Sequence, residues 1–537
     1  MFRTRGVFAP KGLIPVAAVA VAAVGGVAVL QLLARSGEAA VRMIPADAVV
    51  AVTFDTAPSP AQVPLFNRIK SAFEDSGLED LVDGGLFGMD ESGVLSEIRS
   101  HIKGSFAAGL WGDLKGGQPD VIIALALNDP SGAERLVARY AKPRNADGMR
   151  YYTVPDEKML ITFHRGYALL SNRVEAAQKA LRTAEGVEPN LYDQPAFQAA
   201  RASLPADANL MVFVNGAAIA ESDPEARDGF KALGIDENGW LALGVTLREE
   251  GIQVDATLPA AGQGLTAAMG RTQPLTFASL ERFPEGAVGA AGLSGPARFI
   301  EVILDIVRAS EGTEEMDSGI AELEAKTGLS FEKDFLPALR GEIVGALYPP
   351  ITPGGDPTVI LALDNSSGGR ATEVALDLFE KLNAGLFDSP EEQPRLIETR
   401  MGDLRVFRPT HQDDGQQIAL AVSAEQVMLI SDPGLLMRIA EGPSGTNLLE
   451  TEGFADLGYN SEARLQLQID MERFIGALEE AGEAPEDFDL RQILAGRELT
   501  ATWTYDGAAA RFRLLIPIDI PELIMVAGAK IVSEHGR

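Results

Sequence analysis

The chain contains no cysteine and has little histidine or tryptophan. Its 537 residues include 4 histidines and 3 tryptophans. The absence of cysteine excludes disulfide bonds, thiolate zinc sites, cysteine nucleophiles and a lipid-modified cysteine at the amino terminus. The histidines are scattered along the chain, so they do not form the His-Glu-x-x-His pattern that places two imidazoles on one helix face. They are His101, His164, His411 and His535.

Basic charge is also scarce. The chain has 46 lysine and arginine residues against 77 aspartate and glutamate residues, which gives a formal charge of -31 at pH 7. Nucleic acids and anionic lipid surfaces are bound through clustered basic side chains, so this balance argues against both as partners. The acidic residues occur in short dispersed groups, which is typical of a solvated surface rather than of a dedicated cation-binding face.

Only one long uncharged hydrophobic run is present. Gly12–Ala34 spans 23 residues, enough to cross a bilayer, and it follows Arg3, Arg5 and Lys11. These features predict a signal anchor with a cytoplasmic amino terminus. We therefore expect a single-pass protein of the inner (cytoplasmic) membrane whose body lies in the periplasm or extracellular space. The alternative is a signal peptide that is cleaved after Ala39.

The remainder of the chain contains an internal repeat. At an offset of 238 residues, Gly116–Leu125 matches Gly354–Leu363 at seven of ten positions. The phrase Pro-Ala-Asp-Ala precedes an apolar strand pattern at Pro45–Ala48 and again at Pro205–Ala208. Repeated supersecondary patterns of this kind indicate a duplicated module, and what recurs in both copies is most simply explained by folding.

The order of predicted strands and helices indicates an α+β fold. Strands that follow one another through short turns favour mostly antiparallel sheets covered by helices. The sequence thus predicts two tandem copies of such a unit, preceded by one transmembrane helix. The predicted segments are an anchor and tether at 1–43, a first repeat at 44–260, a linker at 261–282, a second repeat at 283–518 and a carboxyl-terminal helix at 519–537.

Three phrases carry a resemblance to a known family. They are Pro-Ala-Asp-Ala before a strand, Gly328–Gly341, and Ala168–Ser171 before a helix. Together they resemble the bacterial family called domain of unknown function 3352, across nearly all of the chain after residue 43. The resemblance implies an exported or membrane-anchored protein without an established reaction, and it carries over no catalytic residue. The first copy departs from the pattern, since it has no proline corresponding to Pro337.

No pattern in the chain assigns a catalytic, cofactor-binding or metal-binding residue. Gly292–Gly295 and Gly442–Gly445 do not complete Gly-x-Ser-x-Gly. In the oxygen-rich stretch Asp364–Gly369, the bidentate acid of a calcium loop would fall at Ala375, which cannot coordinate a metal. Acidic and amide residues that directly follow strands are expected to cap helices instead. These capping candidates are Asp55, Asp129, Asn215, Asp364 and Asp470.

Three functions remain open at this stage. The first is a non-catalytic, membrane-anchored envelope protein that binds a protein partner or has a structural role. The alternative is a carrier of an amphiphile or lipid in an apolar groove, for which the small residues Ala176, Ala177 and Ala180 offer space. The third is a metal-assisted hydrolase around His164 or His411. We expect segment 385–415 to be absent from the first copy. It is predicted either to carry a function specific to the second copy or to form a solvated loop.

Overall fold

The computed structural model of the chain describes residues 38–526 with gaps. The gaps are 55–58, 77–100, 113–118, 154–158, 223–226, 228–229, 232, 236–238, 310–312, 351–356, 366–368, 386–395, 411–417, 441–446, 452–453, 455–461, 482–490, 495 and 497. The predicted membrane anchor at 12–34 therefore lies outside the described residues. Among the helices that are described, none has both the length and the apolar character needed to cross a bilayer.

The fold is a mixture of helices and antiparallel strands, as the sequence predicts. The chain divides into two compact units. The first unit contains the residues up to Ala261 together with those from Ile518 onwards, and the second unit contains Gly262–Pro517. The chain thus leaves the first unit once and returns to it near its carboxyl end.

The first unit has ten strands and seven helices in its described part. The strands are β1 Val50–Phe54, β2 Ile102–Trp111, β3 Asp120–Leu127, β4 Pro143–Ala146, β5 Met149–Thr153, β6 Leu160–His164, β7 Tyr167–Ser171, β8 Leu210–Asn215, β9 Trp240–Arg248 and β10 Gly251–Pro259. The helices are α1 Glu38–Val41, α2 Val63–Asp75, α3 Pro130–Tyr140, α4 Val174–Ala184, α5 Pro195–Ala202, α6 Gly216–Ser222 and, near the carboxyl end, α14 at 520–526. The strands pair in the order β4-β5-β6-β7-β3-β2-β1-β8-β9-β10, and every pair is antiparallel.

The second unit also has ten strands, with seven α-helices in its described part. The strands are β11 Gly289–Ser294, β12 Glu342–Tyr348, β13 Thr358–Asp364, β14 Leu396–Met401, β15 Leu404–Pro409, β16 Ala419–Val422, β17 Gln426–Ile430, β18 Ala463–Asp470, β19 Glu498–Tyr505 and β20 Ala509–Ile516. The helices are α7 Gly264–Arg271, α8 Pro296–Ala309, α9 Thr313–Thr327, α10 Leu336–Ala338, α11 Arg370–Gly385, α12 Pro433–Ala440 and α13 Met471–Ala481. The strands pair in the order β14-β15-β16-β17-β13-β12-β11-β18-β19-β20, again antiparallel throughout.

Alternation of side chains along the strands places a core on each face of the first unit's sheet. On one face, Ala51 of β1 and Phe213 of β8 pack in a cluster with α4 and α5. On the other face, Val52 and Val212 pack in a second cluster with Ile219 of α6. Successive residues of a strand point to opposite faces, so runs that are apolar at every position, as in β8, fit a strand covered on both sides.

In the second unit, one face of the sheet is covered and the other is covered in part. Ile360 and Met428 belong to its larger core cluster, which includes the 3-10 turn Ala278–Arg282. On the opposite face, Val422 and Val427 pack with residues of α11. Helices thus bury apolar side chains of both sheets, as an α+β fold requires, and part of one face of the second sheet stays exposed.

Two predicted segments differ in the structure. Residues 264–271 of the predicted linker form α7, and its Met269 is fully buried, so apolar packing orders this Gly- and Ala-rich stretch. Segment 385–415 was expected to have no counterpart in the first copy, which is wrong for its central part. It contains the β14–β15 hairpin, and the β4–β5 hairpin occupies the same place in the first unit's strand order.

Candidate functional site: a cleft in the first unit

The first unit contains a cleft of about 400 Å³ between α1, α5 and the strands β1 and β8. This volume falls within the range of small-ligand sites in proteins. Its lining is mixed, with Thr53, Tyr192, Gln198 and Arg201 beside apolar residues. The apolar lining includes Val41, Phe197, Ala202, Leu204, Ala208 and Met211.

Helix α5 forms one wall of the cleft. Pro195 occupies the first turn of this helix, where its missing N–H is not needed for hydrogen bonding. Phe197 and Ala200, three residues apart, form the buried face of the helix. The Phe197 ring meets Phe213 of β8 edge to face, with centroids 5.3 Å apart. The wall is thus held rigidly against the sheet.

The turn Pro205–Ala208 forms the other wall and is fixed by two kinds of contact. The Ala208 N–H donates to the Pro205 carbonyl at 3.1 Å, and the matching turn Pro45–Ala48 has the same hydrogen bond at 3.1 Å. Arg248 of β9 donates to both carboxylate oxygens of Asp207, at 2.6 and 3.2 Å. A bidentate pair of this kind fixes orientation as well as distance.

A buried amide network lies beneath this turn. The Gln62 side-chain amide donates to Asn209 Oδ1 at 3.1 Å and to the backbone carbonyls of Asp207 and Leu247, each at 3.1 Å. Asn209 Oδ1 also accepts the Leu247 N–H at 2.9 Å. Because these groups are buried, their hydrogen bonds must be made within the protein, and they hold the turn to β9.

Tyr192 and Arg201 line the cleft, and Arg42 lies beside Tyr192. The Arg42 guanidinium lies 4.2 Å from the Tyr192 ring centroid, and that of Arg201 lies 5.8 Å from it. Arg201 Nη1 also lies 3.4 Å from the Tyr192 hydroxyl, and Arg42 Nη1 donates to Asp193 Oδ1 at 3.3 Å. Gln198 donates to the Tyr192 carbonyl at 2.5 Å and so fixes the position of this tyrosine.

A cleft lined by apolar residues and by one arginine, Arg201, fits a molecule that has an apolar chain and an anionic head. The residues described as lining the cleft include no histidine, serine, aspartate or glutamate. These residues therefore supply neither a nucleophile activated by a base nor a carboxylate pair for acid–base chemistry.

The sequence candidates for hydrolytic chemistry lie elsewhere. His164 ends β6, and its Nε2 atom is buried without a hydrogen-bond partner. Burial lowers the pKa of His164, and the neighbouring Arg165 lowers it further. His411 and His535 lie outside the described residues. In the described ranges, no three or more histidine, aspartate or glutamate side chains are grouped so as to hold a metal ion.

The predicted helix caps are present at three of their positions. Asp129 Oδ1 accepts the Gly132 N–H at 2.8 Å, Asn215 Oδ1 accepts the Ala217 N–H at 3.1 Å, and Asp470 Oδ1 accepts the Arg473 N–H at 3.1 Å. Asp55 lies outside the described residues. These side chains satisfy backbone donors at helix starts, as expected for residues that directly follow strands.

The alanines of α4 do not leave an apolar gap. Ala176, Ala177 and Ala180 are each at most 1% exposed, and they pack directly into the core. The cleft residues Tyr192 and Arg201 are not among the functional residues that the sequence predicts. A single sequence carries little signal for them, because the cleft combines α1 with residues that follow about 150 positions later.

The fold and this cleft define a mixed α and β protein with a ligand-sized site in its first unit. The sequence profile described as "Protein of unknown function (DUF3352)" matches residues 95–384, more than half of the chain. The chain belongs to this family, as its repeated phrases predict.

Comparisons with proteins of curated function and with solved structures do not identify a function. No match was found among proteins with curated functions. Two solved structures, crystal forms IV and I of TP0453, each have a TM-score of 0.25 with 10% and 11% identity. The similarity covers 41% and 42% of this chain and 80% of each of those chains. A likeness this low supports no argument about fold or function.

Proposed function

We propose that this protein is a membrane-anchored, extracytoplasmic and non-catalytic binding protein, whose first unit holds an amphiphile in the cleft beside α5. The body consists of two tandem copies of one α+β unit, and residues 12–34 anchor it in the membrane. The observation that carries this proposal is the cleft itself, which apolar residues line together with Tyr192 and Arg201.

The strand order supports tandem copies. Both units have the same order of ten antiparallel strands, from β4 to β10 and from β14 to β20. The registers correspond residue by residue as well. In the first unit the Val121 N–H donates to Asn172 Oδ1 at 3.0 Å, and 238 residues later the Val359 N–H donates to Ser431 Oγ at 2.9 Å. Shared side-chain contacts at matching registers favour common ancestry over chance.

The position of the cleft along the chain supports a ligand drawn from the membrane. Val41 lines the cleft and follows Ala34, the end of the predicted anchor, by seven residues. Seven residues reach at most about 25 Å. An anchored body therefore keeps the cleft close to the lipid head groups.

Arg201 in the lining favours an anionic head group. The net charge of -31 opposes adhesion of the whole body to an anionic membrane surface. One anionic molecule in the cleft is a different case, because a guanidinium recognises a carboxylate or phosphate at short range. We therefore expect the cleft to bind single anionic amphiphiles, while the negative charge of the body keeps its surface away from an anionic membrane.

A photoactivatable fatty acid tests the cleft in membranes that contain the full chain. Cross-links are expected at two places, in residues 12–34 from the surrounding bilayer and in residues 195–211 from the cleft. The variant Ala202→Trp fills the cleft and should remove only the second set. The matched control is Ala199→Trp, on the exposed face of the same helix.

Two outcomes would refute the cleft proposal. Cross-links confined to residues 12–34 would mean that the cleft takes up no acyl chain. Equal labelling of residues 195–211 in both tryptophan variants would mean that the labelling does not report on the cleft.

The absence of cysteine gives a direct test of topology. The variant Glu250→Cys places a single thiol in the exposed turn between β9 and β10. A membrane-impermeant maleimide should label it in intact bacterial cells with a permeabilised outer layer. Labelling only after the inner membrane is broken would contradict an extracytoplasmic body.

A second candidate function is the binding of an envelope protein, and one surface of the second unit favours it. Val359, Leu361 and Leu429 are 38%, 41% and 38% exposed, and Leu361 lies directly opposite Leu429 in the sheet. Exposed apolar side chains that adjoin one another are typical of protein interfaces. Leu361→Lys should abolish recovery of a partner from envelope membranes, whereas Met437→Lys, at another exposed apolar position, should not.

A further inference from the structure

Helix α14, at 520–526, packs on the first unit although it follows the last strand of the second. Its Ile520 and Ile524, four residues apart, contact a cluster formed by Leu65 and Ile69 of α2 and Leu247 of β9. Residues at i and i+4 lie on the same face of a helix. The helix therefore presents one apolar stripe to the first unit.

Polar contacts fix the start of this helix on the same unit. Asp519 Oδ1 accepts the Glu522 N–H at 3.0 Å, which caps the helix. The other carboxylate oxygen of Asp519 accepts a hydrogen bond from Arg68 of α2 at 2.5 Å. One carboxylate thus both starts α14 and joins it to α2.

Helix α7 packs on the second unit in the way that α14 packs on the first. In the sequence, α7 follows β10, the last strand of the first unit. Its Met269 is fully buried against Phe299 of α8 and Ala510 of β20, and Leu265, four residues earlier, packs on the same cluster. A Cβ atom on Gly270 would lie 3.0 Å from the Tyr505 ring, so the helix approaches β19 closely.

The two clusters occupy equivalent positions. The closing hairpins of the two units have matching registers at an offset of 258 residues, which relates Leu247 to Tyr505 and Ile252 to Ala510. Helix α2 follows the first strand of its unit, and α8 follows the first strand of the other. Each groove is thus formed by the same two elements and is filled by a helix with an apolar i, i+4 pair.

We infer that the helices that follow the two closing hairpins are exchanged: α7, which follows β10, packs on the second unit, and α14, which follows β20, packs on the first. Each unit has a groove between its first long helix and its closing hairpin, and the groove receives the helix that follows the last strand of the other unit. The first unit is therefore completed by a segment from the carboxyl end of the chain, and the second by the segment that precedes its first strand. This inference does not depend on what the cleft binds.

Hydrogen exchange on the full chain, measured by mass spectrometry, tests the exchange. Ile524→Asp places a charge in the first unit's groove and should accelerate exchange in α2, β9 and β10 by about tenfold or more. Exchange in β19 and β20 should stay unchanged. Met269→Asp should have the opposite pattern, with loss of protection in α8, β19 and β20.

Control variants keep the test decisive. Met437→Asp changes an exposed methionine and should alter protection in neither groove. If an aspartate unfolds the whole chain, Ile524→Ala and Met269→Ala give the same comparison with a milder change. If each closing hairpin kept the helix that follows it, Ile524 variants would loosen β19 and β20, and Met269 variants would loosen β9 and β10. That result, or equal effects on both hairpins, would overturn the inference.

Discussion

Replacement of Asn209 by leucine should strongly destabilise the first unit. Asn209 is 4% exposed and accepts hydrogen bonds from the Leu247 N–H and the Gln62 amide, at 2.9 and 3.1 Å. Leucine has a similar volume and no acceptor. The Leu247 N–H would be left without this acceptor, which costs about 1–3 kcal/mol. Gln62 keeps its two carbonyl acceptors, so its lost bond adds only about 0.5–1.5 kcal/mol.

The expected total is about 1.5–4.5 kcal/mol, a large share of the 5–15 kcal/mol that stabilises a typical domain. Urea unfolding followed by fluorescence measures it, in a Trp503→Phe background where Trp111 and Trp240 report on the first unit. The midpoint should fall by about 1 M or more. The exposed control Asn145→Leu should change stability by no more than about 0.5 kcal/mol.

A double-mutant cycle of Asn209→Leu with Gln62→Leu measures whether the two side chains act as one hydrogen-bond network. Gln62→Leu leaves the Leu247 N–H bonded to Asn209, so this variant should cost less than Asn209→Leu. The double variant should be more stable than the sum of the single effects predicts, by about 1 kcal/mol. Additive effects, or an unchanged midpoint for Asn209→Leu, would show that the network does not hold the turn.

Three further predictions concern other sites. Asp129→Ala removes the cap of α3 and should cost about 1 kcal/mol, seen as faster hydrogen exchange in that helix. The lowered pKa of His164 means that its contribution to stability is present above the unfolded value near 6.5 and is lost as pH falls through the folded value. His164→Gln should therefore flatten the dependence of the melting temperature on pH between about 5 and 7. Burial raises the pKa of Tyr348, whose hydroxyl donates to the Pro284 carbonyl at 2.8 Å, and Tyr348→Phe should cost about 1 kcal/mol in thermal unfolding.

The sequence predicts local structure well where a short pattern determines it. The closing hairpins β9–β10 and β19–β20 lie where strand patterns flank the turns at Glu250 and Asp506. The caps at Asp129 and Asn215 follow from polar residues that come directly after apolar strands. Each of these features depends on neighbouring residues alone, so one sequence is enough.

Register between strands is harder to predict. The phrases ending in Ser171 and Ser431 suggest that the two serines correspond. In the sheet, Ser171 lies opposite Ile122, whereas Ser431 contacts Val359 as Asn172 contacts Val121. The correspondence is therefore displaced by one residue. Identical residues favour the alignment of Ser171 with Ser431. The strand register, in which side chains alternate between the two faces of the sheet, aligns Asn172 with Ser431 instead.

The cleft and the helix exchange depend on contacts that a single sequence does not encode locally. Val41 and Arg201 meet at one site although 160 positions separate them. Helices α7 and α14 have ordinary amphipathic patterns, and nothing in those patterns states which unit accepts the apolar face. Tertiary packing alone makes that choice.

Lipid analysis of the full chain, extracted from its own membranes in mild detergent, tests the central claim most directly. The protein is expected to co-purify with an anionic amphiphile at close to one molecule per chain, and Ala202→Trp should lose it while Ala199→Trp retains it. An identical lipid content in both variants, or bulk membrane lipids in proportion to detergent alone, would contradict a binding function for the cleft.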